Sequence, residues 1–156
     1  MQQILLNRTK AMPLPVGTEA PNFTAKDTKG NTVSLSDLKG KTVVLYFYPK
    51  DDTPGCTKQA CSFRDAQPQY QSKDIVVLGV SADDQASHQA FTDKYNLNFP
   101  LLVDTEKSLI SSYDVDGGGY AKRVTYVIDG SGKIVNVDET VNTTTHAEDV
   151  LKSLGL

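Results

Sequence analysis

Three continuous apolar runs limit the folds that this chain can adopt. They are rich in β-branched and aromatic residues and cover residues 42–48, 75–80 and 100–103. Runs without polar alternation are typical of strands that are covered on both faces, as in a parallel sheet between helices. The stretches between the runs have the apolar spacing of helices. The sequence therefore predicts an α/β domain with a central sheet flanked by helices.

Four helices are predicted, over residues 57–66, 81–95, 105–113 and 145–155. Pro68 should break or redirect the first of them, because proline has no N–H for the intrahelical hydrogen bond. The last helix begins with Thr145 and has Glu148 three residues later, which is the pattern of a capping box. Helices of these lengths are suited to cover the faces of the predicted sheet.

Two β-hairpins complete the predicted elements. Their strands cover residues 22–25 with 32–35, and residues 123–128 with 133–137. Glycine-containing turns separate the strands of each pair, as hairpins require. Residues 1–16 have no clear periodicity and end in a proline-rich stretch, so we expect an N-terminal extension there. Residues 17–156 are expected to form a single domain.

Charge and hydropathy exclude several classes of function. The formal net charge is -3 and the basic residues are scattered, so there is no basic face for binding nucleic acid. No segment is apolar for long enough to span a membrane. The short apolar run at residues 4–6 precedes Arg8 and Lys10, the reverse of a secretory signal. We therefore expect a cytoplasmic location, where a cysteine pair is more often catalytic than structural.

The first cysteine is the strongest candidate for a reactive residue. Cys56 follows the end of the first apolar run, after Pro54 and Gly55, where a loop enters a predicted helix. Ligands in open α/β sheets bind at the carboxyl ends of strands, which makes this a candidate site. Free N–H groups and the positive end of the helix dipole favour a thiolate in the first helical turn. Cys56 is therefore a candidate nucleophile, and the alternative is a small buried side chain without chemistry.

A second cysteine, Cys61, follows five residues later. This spacing fits neither the C-x-x-C motif of thioredoxin-like reductases nor a four-ligand zinc site. The only histidines, His88 and His146, lie on polar stretches of predicted helices. We expect them at surface or capping positions and without a catalytic role.

The segment around Cys56 resembles the active site of the peroxiredoxins. Their pattern P-x-x-x-[TS]-x-x-C is matched by Pro49, Thr53 and Cys56. The position of Cys61 is similar to that of the resolving cysteine in the bacterioferritin comigratory protein, or peroxiredoxin Q, branch. The resemblance extends from Gly17 to the last helix. It implies a thioredoxin-like fold with a central mixed sheet, hydroperoxide substrates, thioredoxin or a similar dithiol as reductant, and a role in antioxidant defence.

The resemblance also implies a role for each matching residue. Cys56 would attack the peroxide, and Cys61 would then form a disulfide with it. Thr53 would donate a hydrogen bond to the thiolate and the peroxide, and Pro49 would shield the site from water. Arg123 would hold the thiolate charged and stabilise the charge that moves to the leaving oxygen. Without the motif, a solvent-facing charge at the end of a strand would be the simpler interpretation of Arg123.

The chemistry implied by the resemblance needs no metal, haem or nicotinamide. Cys56 would become a sulfenic acid, condense with Cys61, and be restored by an external dithiol. Two other functions are compatible with the sequence: a peroxide sensor that passes its oxidation to a partner, and a non-catalytic binding module with a thioredoxin fold. A monomer is the favoured state because both cysteines are in one chain.

Overall fold

The computed structural model describes residues 13–156. Its strands are β1 (Thr24–Lys26), β2 (Thr32–Ser34), β3 (Thr42–Phe47), β4 (Ile75–Ser81), β5 (Leu101–Val103), β6 (Val124–Ile128) and β7 (Ile134–Asp138). Its α-helices are α1 (Pro54–Ser72), α2 (Gln85–Tyr95), α3 (Ser108–Ser112) and α4 (His146–Ser153), and a short 3-10 helix covers Leu35–Leu38.

Five strands form the central sheet, in the order β5-β4-β3-β6-β7. β3, β4 and β5 are parallel, whereas β6 and β7 are antiparallel to their neighbours. β1 and β2 form a separate antiparallel hairpin. The predicted α/β class, its mixed sheet and both hairpins are confirmed. β3 is the middle strand, so its carboxyl end lies at the centre of one sheet edge.

The side chains of β3 alternate between two hydrophobic cores. Val44 and Tyr46 pack with side chains of α1, α2 and α4. Val43, Leu45 and Phe47 pack on the opposite face with α3, the β1–β2 hairpin and the 3-10 helix. Because both faces are covered, every position of such a strand favours an apolar side chain. This explains the continuous apolar run in the sequence.

Pro68 does not end the first helix, contrary to one of the two predicted outcomes. α1 is one helix of 19 residues with Pro68 inside it. Pro68 cannot donate a hydrogen bond to the carbonyl of Arg64, four residues earlier. The side-chain amide of Asn98 donates to that carbonyl instead, at 3.2 Å. A residue from outside the helix thus satisfies the acceptor that the proline leaves open.

The predicted capping box of α4 is also wrong. Thr145 is the N-cap, but its side chain accepts no hydrogen bond from the helix amides, and its ψ angle is 10° rather than extended. Its hydroxyl donates to the carboxylate of Asp149 at 2.8 Å, in the first turn of the helix. The acidic side chain that Thr145 engages is therefore Asp149 and not Glu148.

The two histidines do lie in helices, but their expected surface or capping positions are wrong. Both are 0% exposed. The ring of His88 contacts Asp51 and the carbonyl oxygen of Leu102, and His146 contacts the hydroxyl of Thr125. Buried polar side chains are stable when their polar atoms have such partners. The polar residues around each histidine in the sequence therefore gave a wrong prediction of its exposure.

Residues 1–12 of the predicted N-terminal extension lie outside the described residues. The backbone amide of Leu14 donates to the hydroxyl of Tyr126 at 2.9 Å, and its side chain packs on the core. The amide of Gly17 donates to the carbonyl of Ile134 at 2.8 Å. The chain from Leu14 onward is therefore attached to the domain. Within residues 13–156, no helix combines the length and apolar character needed to cross a membrane.

Candidate active site

The candidate site lies where β3 ends and α1 begins. Thr53 is the N-cap of α1 and has an extended backbone, and its carbonyl accepts the amide hydrogen of Thr57 at 2.8 Å. Pro54 occupies the first helical position, where its missing N–H removes no intrahelical bond. Cys56 is therefore the third residue of the helix, in the turn whose amides have no intrahelical acceptor. This confirms its predicted place in the first turn.

Strand pairing brings Arg123 to this place. β6 runs antiparallel to β3, and Val124, its first residue, pairs with Phe47, the last residue of β3. Arg123 directly precedes β6 and so stands beside the carboxyl end of β3. Its Nη2 atom lies 3.3 Å from the sulfur of Cys56, which is 1% exposed. The structure thus joins two predicted site residues that are 67 positions apart in the chain.

The contact between Arg123 and Cys56 suits nucleophilic chemistry. A guanidinium is charged at every physiological pH and donates hydrogen bonds in fixed directions. Held against a buried sulfur, it favours the thiolate, as do the free amides of the first helical turn. A buried cysteine without chemistry would need no such cation, so the geometry favours the nucleophile.

Gln59 is a site residue that the sequence analysis did not identify. Its Oε1 accepts a hydrogen bond from Nη1 of Arg123 at 2.7 Å, and the residue is 0% exposed. It lies three positions after Cys56, so both side chains lie on one face of α1. This spacing was the one feature of the sequence that could have identified Gln59 as a site residue. Arg123 therefore bridges two side chains of the first two turns of α1.

A glycine permits this close approach of Arg123 to the helix. A Cβ atom placed on Gly55 would lie 3.1 Å from Nη2 of Arg123 and 3.8 Å from Cγ2 of Thr143. The first of these distances is tighter than ordinary van der Waals contact, so a larger residue would displace the guanidinium. Gly55 thus contributes to the site by its lack of a side chain.

Thr53 and Pro49 lie in the loop before α1, as expected, and both are partly buried. The hydroxyl of Thr53 donates to the carbonyl of Lys50 at 2.9 Å. Its proton is therefore used within the loop rather than on the sulfur of Cys56. The loop is in turn connected to α2, since the carboxylate of Asp51 contacts His88 at 2.7 Å.

Cys61 is partly buried and, like Cys56, is a free thiol. Five residues along an α-helix correspond to a rise of about 7.5 Å and a rotation of about 140°, which places the two Cα atoms roughly 8.6 Å apart. A disulfide requires Cα atoms within about 7 Å and converging Cβ atoms. The two cysteines therefore cannot form a disulfide while this part of α1 is helical.

Two tyrosines in the wall of the site remain neutral phenols. Burial raises the pKa of Tyr46 well above its usual range, and the negative charge of Asp51 raises it further. Burial and the Asp51 charge likewise raise the pKa of Tyr48. Neither phenol can therefore act as a base near neutral pH. Among residues 13–156, no three His, Cys, Asp or Glu side chains are placed to hold a metal ion.

Comparisons with known proteins agree with this geometry. The model of the AhpC/TSA family matches residues 16–137. The putative peroxiredoxin bcp of Coxiella burnetii is 45% identical over 151 residues, which is 92% of this chain and 100% of the relative. The chloroplastic peroxiredoxin Q of Triticum aestivum is 51% identical over 121 residues, which is 76% of this chain and 56% of the relative.

Solved structures give the same result. The PrxQ of Xylella fastidiosa, solved as a mutant, is 31% identical, with a TM-score of 0.86 over 92% of this chain and 97% of that chain. The bacterioferritin comigratory protein of Xanthomonas campestris, studied for its alkyl peroxide reduction activity, is 29% identical, with a TM-score of 0.83 over 90% of this chain and 98% of that chain. The expected thioredoxin-like fold is confirmed. This chain is therefore a peroxiredoxin of the AhpC/TSA family, in the branch of the bacterioferritin comigratory protein and peroxiredoxin Q.

Proposed function

We propose that this enzyme reduces hydrogen peroxide and organic hydroperoxides with Cys56 as the attacking sulfur and Cys61 as the resolving one. The observation that carries the proposal is the contact of 3.3 Å between Arg123 and a Cys56 sulfur that is 1% exposed. It places a permanent cation at the one atom that must be an anion for the reaction to begin.

In the first step, the Cys56 thiolate attacks one oxygen of the hydroperoxide. The S–O bond forms as the O–O bond breaks, and the leaving oxygen takes a proton to become water or an alcohol. Negative charge moves from the sulfur to that oxygen, and Arg123 stabilises it at both ends of the path. Thr53 assists when its hydroxyl releases the carbonyl of Lys50 and donates to the peroxide. Pro49 limits the entry of water.

In the second step, the sulfur of Cys61 attacks the sulfenic acid of Cys56, a disulfide forms and water leaves. The first turns of α1 must unwind for this step, because the helical separation of the two cysteines is too large for a disulfide. In the third step, a dithiol such as that of thioredoxin exchanges with the disulfide and restores both thiols. The turnover serves antioxidant defence and redox homeostasis of the cell.

The partners and location follow from this chemistry. A monomer is sufficient, since one chain supplies both sulfurs. A reducing compartment is needed to regenerate the dithiol, and we propose the bacterial type of location, the cytoplasm, over the plastid of the plant relatives. A fusion with a fluorescent protein, imaged together with plastid and cytoplasmic markers in a plant cell, tests this choice; accumulation in plastids would contradict it.

A coupled assay tests the proposed roles. Peroxide consumption is measured with thioredoxin, its reductase and NADPH for the natural enzyme, Cys56→Ser and Cys61→Ser. The two substitutions are matched, since each removes one sulfur from the same helix. Cys56→Ser should abolish even the first turnover, because a hydroxyl has too high a pKa to supply the anion. Cys61→Ser should retain one fast turnover and then stop or slow.

The same assay separates the enzyme from a one-shot peroxide sensor, which would not sustain turnover with thioredoxin in excess peroxide. In Cys61→Ser, the sulfenic acid of Cys56 should persist and progress to sulfinic acid, with mass increases of one and then two oxygen atoms. Undiminished activity of Cys56→Ser, or the absence of any oxygen adduct on Cys56 in Cys61→Ser, would contradict the assignment.

A further inference from the structure

A buried ion pair lies beside the loop that leads into the active site. Nδ1 of His88, in α2, is 2.7 Å from Oδ2 of Asp51, in the loop between β3 and α1. The two side chains are 0% and 3% exposed. The function proposed above uses neither of them.

The contacts of His88 define its protonation state. Its Nε2 lies 2.8 Å from the carbonyl oxygen of Leu102, which can only accept, so Nε2 carries a proton. The carboxylate of Asp51 also accepts hydrogen bonds from the hydroxyls of Tyr48 at 2.5 Å and Ser87 at 2.8 Å. Tyr48 donates to Oδ1 and Ser87 to Oδ2, so both oxygens of this carboxylate act as acceptors, and Oδ2 accepts from Nδ1 of His88 as well. Both ring nitrogens therefore donate, and the ring is an imidazolium.

Further contacts connect the same loop to its surroundings. The backbone amide of Asp51 donates to the carboxylate of Asp83 at 2.8 Å. Asp52 has a left-handed backbone with φ of 57°, which is unfavourable for a residue with a side chain. Its carboxylate accepts hydrogen bonds from the ammonium group of Lys94 at 2.8 Å and the hydroxyl of Tyr95 at 2.9 Å, both from α2. The loop is thus held by α2 at two successive residues, and His88 makes the buried contact.

We infer that His88 is a positioning residue for the peroxide reaction: its cationic ring fixes Asp51, and through the loop it fixes Thr53 and the first turn of α1 against Arg123. This inference rests on the proposed role of Cys56. Thr53 is two residues after Asp51 and is the N-cap of α1, so a displacement of Asp51 moves the start of the helix. A misplacement of about 1 Å at a reacting centre costs up to roughly 100-fold in rate.

The charge of His88 makes this positioning dependent on pH. The titratable groups that interact with the pair in the described part of the chain are Tyr46 in β3, Tyr48 directly after β3, and Asp83 from the loop after β4, and β5 contributes the carbonyl of Leu102. Burial lowers the pKa of His88, but the hydrogen bond and charge of Asp51 outweigh it, and the net pKa lies above its usual value. Alkaline pH therefore removes the second ring proton and releases Asp51.

The test compares the rate constant of Cys56 with hydrogen peroxide from pH 5 to 10, by competition with a haem peroxidase. The natural enzyme should lose rate at alkaline pH, with a midpoint that coincides with the titration of the His88 ring nitrogens in ¹⁵N NMR spectra. His88→Gln should be about tenfold slower at neutral pH and should lack this alkaline loss. Ser87→Ala is the matched control, since it removes a neutral donor to the same carboxylate and should keep the loss.

Asp51→Asn provides a second variant if His88→Gln does not fold. It leaves an acceptor for Nδ1 but removes the negative charge, so the alkaline loss should move to lower pH. The same alkaline profile in the natural enzyme, His88→Gln and Asp51→Asn would overturn the inference, as would a His88 ring that is neutral at pH 6. If Cys56→Ser consumes peroxide as fast as the natural enzyme, the proposed role of Cys56 is wrong. If Cys56 reacts with peroxide equally fast in the natural enzyme and in His88→Gln, only the positioning role of His88 is wrong.

Discussion

Lys58 offers a way to change the opening of α1 without touching either sulfur. It is exposed in the second turn of the helix, between Cys56 and Cys61. The disulfide can form only from a state in which this segment is not helical. The rate of disulfide formation should therefore follow the population of the open state. The perturbation is Lys58→Gly, compared with Lys58→Ala so that the loss of charge is the same in both.

The expected magnitude follows from helix propensity. Glycine at an exposed helix position costs about 1 kcal/mol relative to alanine. If residue 58 is unwound in the reactive state, this cost falls only on the closed state and raises the open population about fivefold. Disulfide formation should then be about five times faster in Lys58→Gly than in Lys58→Ala. Residues 56–62 should also exchange amide hydrogens faster in the reduced glycine variant.

The assay is a single turnover with one equivalent of peroxide, stopped by acid at successive times. Mass spectrometry distinguishes the sulfenic acid of Cys56 from the disulfide. The control pair is Gln69→Gly and Gln69→Ala, at an exposed position near the other end of α1. This pair should show a similar loss of overall stability but equal rates of disulfide formation.

Equal rates for the two Lys58 variants would refute the reasoning, because residue 58 would then be equally ordered before and during the reaction. The reasoning would also be refuted if the rates of disulfide formation differed as much between the two Gln69 variants as between the two Lys58 variants. In that case, global unfolding rather than local opening would limit the step.

Two further predictions concern charges near the site. Arg123→Ala should lower the rate constant of Cys56 with peroxide, since the fixed positive charge that stabilises the leaving oxygen is lost; an unchanged rate constant would reduce Arg123 to a structural role. Burial lowers the pKa of His146 to about 4, so the unfolded chain binds a proton between about pH 6.5 and 4 that the native protein does not. The free energy of unfolding, measured with urea, should therefore fall by about 3 kcal/mol more across this range in the natural protein than in His146→Gln. An equal fall in the free energy of unfolding in both proteins would show that the pKa of His146 is not lowered by folding.

Local sequence patterns were sufficient for much of the fold. The apolar runs predicted the buried strands because burial on both faces excludes polar residues from them. Pro54 and Gly55 indicated that a loop meets a helix just before Cys56, although the helix begins at Pro54 itself rather than after these two residues. These features depend on neighbouring residues in the chain, so a sequence contains them directly.

Other features depend on partners that are distant in sequence. Asn98 satisfies the carbonyl that Pro68 leaves open, and no local pattern connects the two residues. The place of Arg123 depends on the antiparallel pairing of β6 with β3, and the resemblance to a family, not the spacing, indicated its role. His88 has polar neighbours in sequence, whereas the partner of its buried ring, Asp51, lies 37 residues earlier.

The depth of Cys56 also affects the order in which reactants can reach it. A protein reductant cannot touch a sulfur that is 1% exposed, whereas a peroxide is a far smaller molecule. In the proposed mechanism, the reductant finds a target only after α1 has opened and the disulfide has formed. Peroxide and reductant are therefore accepted by different conformations of one chain and do not compete for the same form. Such an enzyme should follow ping-pong kinetics, and high concentrations of reductant should not inhibit the peroxide step.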